Sequence, residues 1–366
     1  MKIEKIEIFS IRVPLKRAAE SAHGLATEQD SVIAKISTAS GGYGIGAAEP
    51  LPGYDEESKD EILTTLQNHL IPKIIGESPF QIRRILELMD AEISEHLGSK
   101  AIIEMALFDL LGKMLGVPVY TFFGGKVKDL IQLNGWVGLV TPQEAKREAQ
   151  DLLDKGFRSL KVKINPDVAA GKRRVEAVRS VVKDKIQIRV DANESLDLKQ
   201  AEEAAIALKP LDILYLEQPF PRNSFEDFVT FSRMSPVKLM ADESIHDMES
   251  LLHILKSGST QFVKVKVQKM GGLLKTYQAV QVAEAFGIPV ILGHGFGLTV
   301  NTLAELHLAA STNAILDGCE AVGPFKMADD VVIKPLFMDK GFIPVSNKPG
   351  LGADLDEEKL KKYLVK

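Results

Sequence analysis

Eight short apolar or β-branched runs recur at intervals of roughly 25 to 29 residues through the last two thirds of the chain, with helical stretches between them. Strands that alternate with helices imply parallel pairing through helical crossovers. Eight such units over about 200 residues predict an α/β protein, a (β/α)8-type TIM barrel. The beginning of the chain has another rhythm, strands followed by helices, and reads as an α+β N-terminal capping domain. The expected boundaries are 1–125 for the cap and 126–325 for the barrel. A C-terminal segment, 326–366, returns to complete the cap. A doubly wound open sheet is the competing architecture. It usually carries fewer strands and a phosphate fingerprint after its first strand, and this sequence has neither.

The elements follow in order. Ile3 to Val13 reads as a strand, Lys16 to Asp30 as a polar loop and Ser31 to Ser37 as a second strand. The tract Gly41-Gly42-Tyr43-Gly44-Ile45-Gly46 follows a strand, but no helix opens directly after it, so a hairpin turn is the better reading than a nucleotide loop. Asp55 to Leu115 is helical in pattern. Leu63, Leu66, Leu70 and Ile71 share one face, and Ala101 to Leu111 is strongly apolar. Pro118 and Gly124-Gly125 close this unit. The barrel runs are 131–137, 158–164, 187–191, 212–217, 237–242, 262–267, 288–293 and 314–320. The remaining tail contains more strand and turn than helix.

Composition narrows the class. The chain has 366 residues, 45% apolar and 26% charged, and a net charge of -5, which leaves no basic footprint for nucleic acid. The single cysteine, Cys319, excludes a disulfide within the chain. Met1 to Leu15 lacks the apolar core of a signal peptide, and the longest apolar runs, such as Gly287 to Gly293, fall far short of a membrane span. The expectation is an acidic, cytoplasmic globular protein with a small-molecule partner.

In a barrel enzyme the chemistry sits at the carboxyl ends of the strands. The second run ends in Lys161-Val162-Lys163, the third in Asp191-Ala192-Asn193, the fourth in Glu217 and the fifth in Asp242-Glu243. The sixth carries Lys264-Val265-Lys266, the seventh ends near His294 and the eighth at Glu320. Taken alone, Lys-Val-Lys describes a half-solvated strand, and each acid could be a helix N-cap. Barrel strands are covered on both sides, however, so lysines alternating with valine point inward, where an unpaired ammonium is costly. Three acids on consecutive strand ends offer hard oxygen ligands suited to Mg²⁺, with Mn²⁺ as a substitute. Lys163 and Lys266 would face each other across the mouth. That set suits removal of a proton alpha to a carboxylate, with a cation on the resulting ene-diolate and neutral lysine as base. Lys161 and the metal would lower the pKa of Lys163, and Lys264 that of Lys266.

These motifs, with Glu217-Gln218-Pro219, Asp242-Glu243-Ser244 and Met270-Gly271-Gly272, resemble the enolase superfamily, and within it the muconate lactonizing enzyme-like subgroup. The resemblance spans nearly the whole chain. It implies Asp191, Glu217 and Asp242 as Mg²⁺ ligands, Lys163 and Lys266 as paired acid/base lysines, Lys161 as their helper and a homo-oligomer. The stretch Ala18 to Thr27 matches the family's lid. Glu320, His294 and Asn193 are the expected substrate contacts; Trp136 and Asn134 line the pocket or pack, and Met270 packs. Dipeptide epimerases carry Asp-x-Asp where this chain has Glu320-Ala321-Val322, which weakens that assignment. Muconate cycloisomerases carry a Glu there, but the Glu usual near Gly297 is missing. The resemblance implies a racemase or epimerase of an N-acyl amino acid or dipeptide, with a muconate-type cycloisomerase second. A non-catalytic carboxylate-binding protein is the distant alternative.

Overall fold

The computed structural model describes residues 1–21, 24–51 and 54–365. The cap opens with two long antiparallel strands, β1 (Ile3–Ser21) and β2 (Gly24–Thr38), followed by β3 (Tyr43–Ala48). The expected polar loop at 16–30 is therefore an extension of both strands. Its sequence lacks an alternation of apolar and polar residues, so no period-2 signal marks it. Backbone pairing carries the ladder outward past an irregularity between Pro14 and Ala19. The stretch expected to be a lid, Ala18 to Thr27, falls on these strands, except that Ala22 and His23 lie outside the described residues. The glycine tract opens with a hairpin turn, as read, and its remainder from Tyr43 belongs to β3: Gly41 has a positive φ and the Thr38 N–H bonds to the Gly42 carbonyl.

The helical region resolves into α1 (Lys59–Thr65), a π-helical turn (Leu66–Leu70), α2 (Ile71–Ile74), α3 (Ile82–Glu92) and α4 (Leu97–Leu115). Helix α4 is buried continuously from Gly98 to Gly112 and ends at Gly116 in the left-handed conformation. It lies directly on β3. A Cβ at Gly46 would stand 2.0 Å from the Ile102 carbonyl oxygen, so only glycine permits this approach. Gly46→Ala is expected to destabilise the fold by about 3 kcal/mol, read from the midpoint of urea unfolding.

The barrel sheet contains seven parallel strands in sequential order: β5 (Gly135–Val137), β6 (Ser159–Lys163), β7 (Gln187–Asp191), β8 (Ile213–Glu217), β9 (Leu239–Ala241), β10 (Phe262–Val265) and β11 (Val290–Leu292). Capping explains why helices start where they do. Thr141, Asp197 and Asp247 close capping boxes at the starts of α5 (Pro142–Asp154), α7 (Leu198–Leu208) and α9 (Met248–Ser257).

The eighth run, 314–320, is not a strand. It closes the ring through two isolated parallel bridges, Val290 to Ile315 and Leu133 to Cys319. Two of its carbonyls are taken elsewhere: buried Arg189 donates to Gly318 O at 2.6 Å and to Asp317 O at 2.7 Å. The first run is also divided. Its leading part, β4 (Leu130–Gln132), pairs with β12 (Phe342–Pro344) of the tail, and only β5 joins the barrel. The tail reaches the cap as well: Val365 N–H donates to Ser10 O, and Asp109 of α4 accepts from both Ile45 and Leu351 N–H groups. Cys319 is buried and free. Among the described residues no helix is long and apolar enough to cross a membrane.

Candidate active site

The strand ends deliver the expected side chains to one place. Register puts Lys163 beside Asp191 and Asp191 beside Glu217, while Asp242 follows β9 directly. None of the three acids caps a helix, so the bland reading of each fails. Lys161, Lys264 and Lys266 are each 3% exposed or less, which confirms that they point inward. Lys161 Nζ lies 2.8 Å from Asp191 and 2.7 Å from Glu217; Lys264 Nζ lies 2.6 Å from Glu320 and 3.3 Å from Glu217. Lys163 pairs with Asp191 at 2.6 Å, and Lys266 contacts Asp242. The acids and lysines thus form one alternating buried network.

That network alters the expected tuning. Burial opposes charge on Lys161, but Asp191, Glu217 and Glu320 outweigh it and hold the ammonium well above its usual range. Lys264 is likewise pushed up, its burial outweighed by Asp242, Glu217 and Glu320. Lys264 is therefore a neutralised cation and not the neighbour that tunes Lys266. Burial first, and Lys269 second, push Lys266 well below the usual range. Lys269 Nζ lies 4.0 Å from the Tyr54 ring centroid.

Do these residues suit a divalent cation? As they stand, no three His, Cys, Asp or Glu side chains among the described residues form a ready-made metal cluster, because lysine ammonium groups occupy the space between the acids. The donor set itself fits. Three carboxylates converge from adjacent strand ends, and Glu217 Oε2 is buried without a hydrogen-bond partner, a lone donor awaiting a charge.

A cavity of about 450 Å³ opens over this network. Lys161, Lys163, Asn193, Asp242, Lys264 and Glu320 form its floor, and Ala26 to Asp30 of β2 lie on its cap side. His294 also lines it; the ring is buried, 3.4 Å from Asp55 of the cap and edge-on to Tyr54. Asn193 accepts from Lys163 and donates to Glu243 at 2.8 Å, so it orients a lysine as well as facing the cavity. Trp136 lines the cavity, whereas Asn134 is buried outside it, and Met270 is core. At Gly297, where a Glu was expected nearby, a Cβ would stand 2.7 Å from Glu49 Oε2; a cap carboxyl fills that space.

Three residues escaped the sequence reading. Tyr54 donates to Asp242 at 3.0 Å and contacts Lys266. Arg222, from the loop after β8, bonds Glu194, Glu56 and the Tyr54 carbonyl and so fixes the Tyr54 loop over the mouth. Lys326 lies in the cavity wall. Tyr54 and Arg222 sit in irregular segments and Lys326 ends a single helical turn, all too short for periodicity to carry a signal; an aromatic after Pro52-Gly53 was the only hint of Tyr54.

Comparison with known proteins agrees with this geometry. Residues 4–124 match the family model described as mandelate racemase / muconate lactonizing enzyme, N-terminal domain, and residues 144–359 match the enolase C-terminal domain-like model. The chain is 31% identical to N-succinyl-L-Arg/Lys racemase of Bacillus cereus, over 100% of this chain and 98% of the relative. It is 31% identical to muconate cycloisomerase 1 of Pseudomonas putida, over 99% and 98%. The crystal structure of the Bacillus cereus racemase superposes with a TM-score of 0.96 at 30% identity, covering 100% of this chain and 99% of that one. The chain belongs to the mandelate racemase / muconate lactonizing enzyme family of the enolase superfamily, and it is an isomerase.

Proposed function

We propose that this isomerase racemises or epimerises an N-acyl amino acid by removing and returning its α-proton, with Lys163 and Lys266 as the acid/base pair. The observation that carries the reading is their placement. Lys163 ends β6 and Lys266 follows β10, half the ring apart, each against an outer acid of the Asp191, Glu217, Asp242 set. A planar carbon between them is reached by one lysine on each face. One neutral amine accepts the proton, and the opposite ammonium delivers another, which inverts the centre.

Asp191, Glu217 and Asp242 are the residues that would hold a divalent cation, Mg²⁺ or Mn²⁺. Bound there, the cation supplies electrostatic stabilisation of the negative charge that develops on the substrate carboxylate. Lys161 and Lys264, charged and buried, hold the acids in place. Asn193 orients Lys163, and Tyr54 orients Asp242 and Lys266. Glu320 and His294 border the substrate. The β1–β2 hairpin and the Tyr54 loop shield the cavity from water.

The N-acyl class is favoured over a free dipeptide for a local reason. A substrate ammonium needs unspent carboxylates, yet Glu320 is already paired with two lysines and Val322 stands where a second acid would be. A relative named for racemisation of N-succinyl amino acids supports the choice.

The test is α-proton exchange in D₂O, followed by NMR with Mg²⁺ present. N-acetyl and N-succinyl amino acids of both hands, L,L-dipeptides and cis,cis-muconate form the panel. Deuterium entering the α-carbon of an N-acyl amino acid with inversion is the expected result. Turnover of muconate without exchange in any amino-acid derivative would replace this reading with cycloisomerisation.

A further inference from the structure

Lys326 differs from the other cavity lysines that reach the floor. Lys161, Lys163 and Lys264 each pair with a carboxylate. Among the described residues Lys326 has no ion pair. Its Nζ donates to the Gly295 carbonyl at 2.7 Å and lies 4.1 Å from the Phe296 ring centroid and 4.8 Å from that of Trp136. Two aromatic faces and one carbonyl position this cation without neutralising it. Since an ammonium has three donors, hydrogen-bonding capacity remains for an incoming acceptor.

Its place in the ring matters equally. Helix α13 (Gly323–Lys326) follows the segment that closes the barrel between β11 and β5. The three acids end β7 and β8 and follow β9, on the other side of the same ring. A substrate held by its reacting carboxylate at the acids therefore extends toward Lys326. The base of that side chain is fixed: Ala328 N–H donates to Pro14 O at 2.8 Å, Leu15 bridges Met327, and Lys16 donates to Phe325 O at 3.1 Å. The charge is preorganised between hairpin and barrel, which limits the entropic cost of recognition.

We propose that Lys326 is a specificity-determining residue that receives a carboxylate at the far end of the substrate's acyl chain. The inference rests on the N-acyl amino acid reading and narrows it to carboxylate-terminated acyl groups, of which N-succinyl is one. Burial, with Lys163 the next contributor, pushes the Lys326 ammonium down to about 7, so a seated anion also stabilises its charged form.

The experiment compares N-succinylglycine with N-butyrylglycine, which ends in a methyl group where the former has its carboxylate. Binding to the full chain with Mg²⁺ is measured by calorimetry for the wild type, Lys326→Met and Lys326→Arg, with thermal melts confirming folding. The wild type is expected to prefer the succinyl ligand by about 10- to 100-fold, the range of one charge-assisted hydrogen bond. Lys326→Met should abolish the preference and Lys326→Arg should restore much of it. A wild type without preference, or a Met variant that keeps it, overturns the inference. The parent reading fails separately: if the preference depends on Lys326 but no N-acyl amino acid exchanges its α-proton, the anion site stands and racemisation falls. If exchange proceeds equally with N-acetyl and N-succinyl amino acids and the binding preference is absent, racemisation stands and the anion site falls.

Discussion

Lys266→Met should lower racemisation by about 100- to 10,000-fold, the usual contribution of a positioned acid/base group, while one enantiomer still exchanges its α-proton with solvent. Lys266 is 1% exposed and packs between Asp242 and Tyr54, so methionine preserves its volume and removes only the nitrogen. Lys163 then remains on the opposite face. It can take the proton from the enantiomer that presents it and return deuterium to the same face, without inversion. The reciprocal variant, Lys163→Met, should confine exchange to the other enantiomer. Chiral chromatography reports inversion and NMR in D₂O reports exchange. Full racemisation by Lys266→Met would sink the two-base scheme, because one lysine would then serve both faces.

Glu217→Ala is expected to be the most damaging single change to the network. Glu217 is fully buried and lies 2.7 Å from Lys161 and 3.3 Å from Lys264. Removing one partner of a buried ion pair leaves uncompensated charge at a cost of about 3–5 kcal/mol. Thermal unfolding should therefore occur several degrees lower, and activity should disappear. The second readout concerns the cation. A ligand bound only to the folded state raises its melting temperature, so Mg²⁺ should stabilise the wild type and leave Glu217→Ala unmoved. An undiminished Mg²⁺ shift in the variant would remove Glu217 from the proposed ligand set.

The repeating runs made the barrel readable because each strand is short, covered on both faces and bounded by turns. The third run, Gln187 to Asp191, coincides with the observed strand, and the second and the fourth to seventh lie within a few residues of theirs. The same logic failed at 314–320, where Arg189 draws off two carbonyls across the ring. It failed again at 16–30, where the sequence lacks the apolar alternation that marks a strand. The first depends on a partner remote in sequence and the second on backbone pairing, and a side-chain pattern records neither.

By itself the sequence determined the architecture and the chemical inventory: strand-end lysines and acids whose burial follows from a closed, helix-covered ring. Only the tertiary structure decided how those charges are shared. It showed that Lys161 and Lys264 are neutralised by carboxylates, that Lys269 is the cation felt by Lys266, and that Tyr54 and Lys326 reach the cavity. The reason is physical. A strand's period sets which way a side chain points, but the pKa of a buried charge depends on neighbours a few ångströms away, delivered by loops whose paths no periodicity encodes.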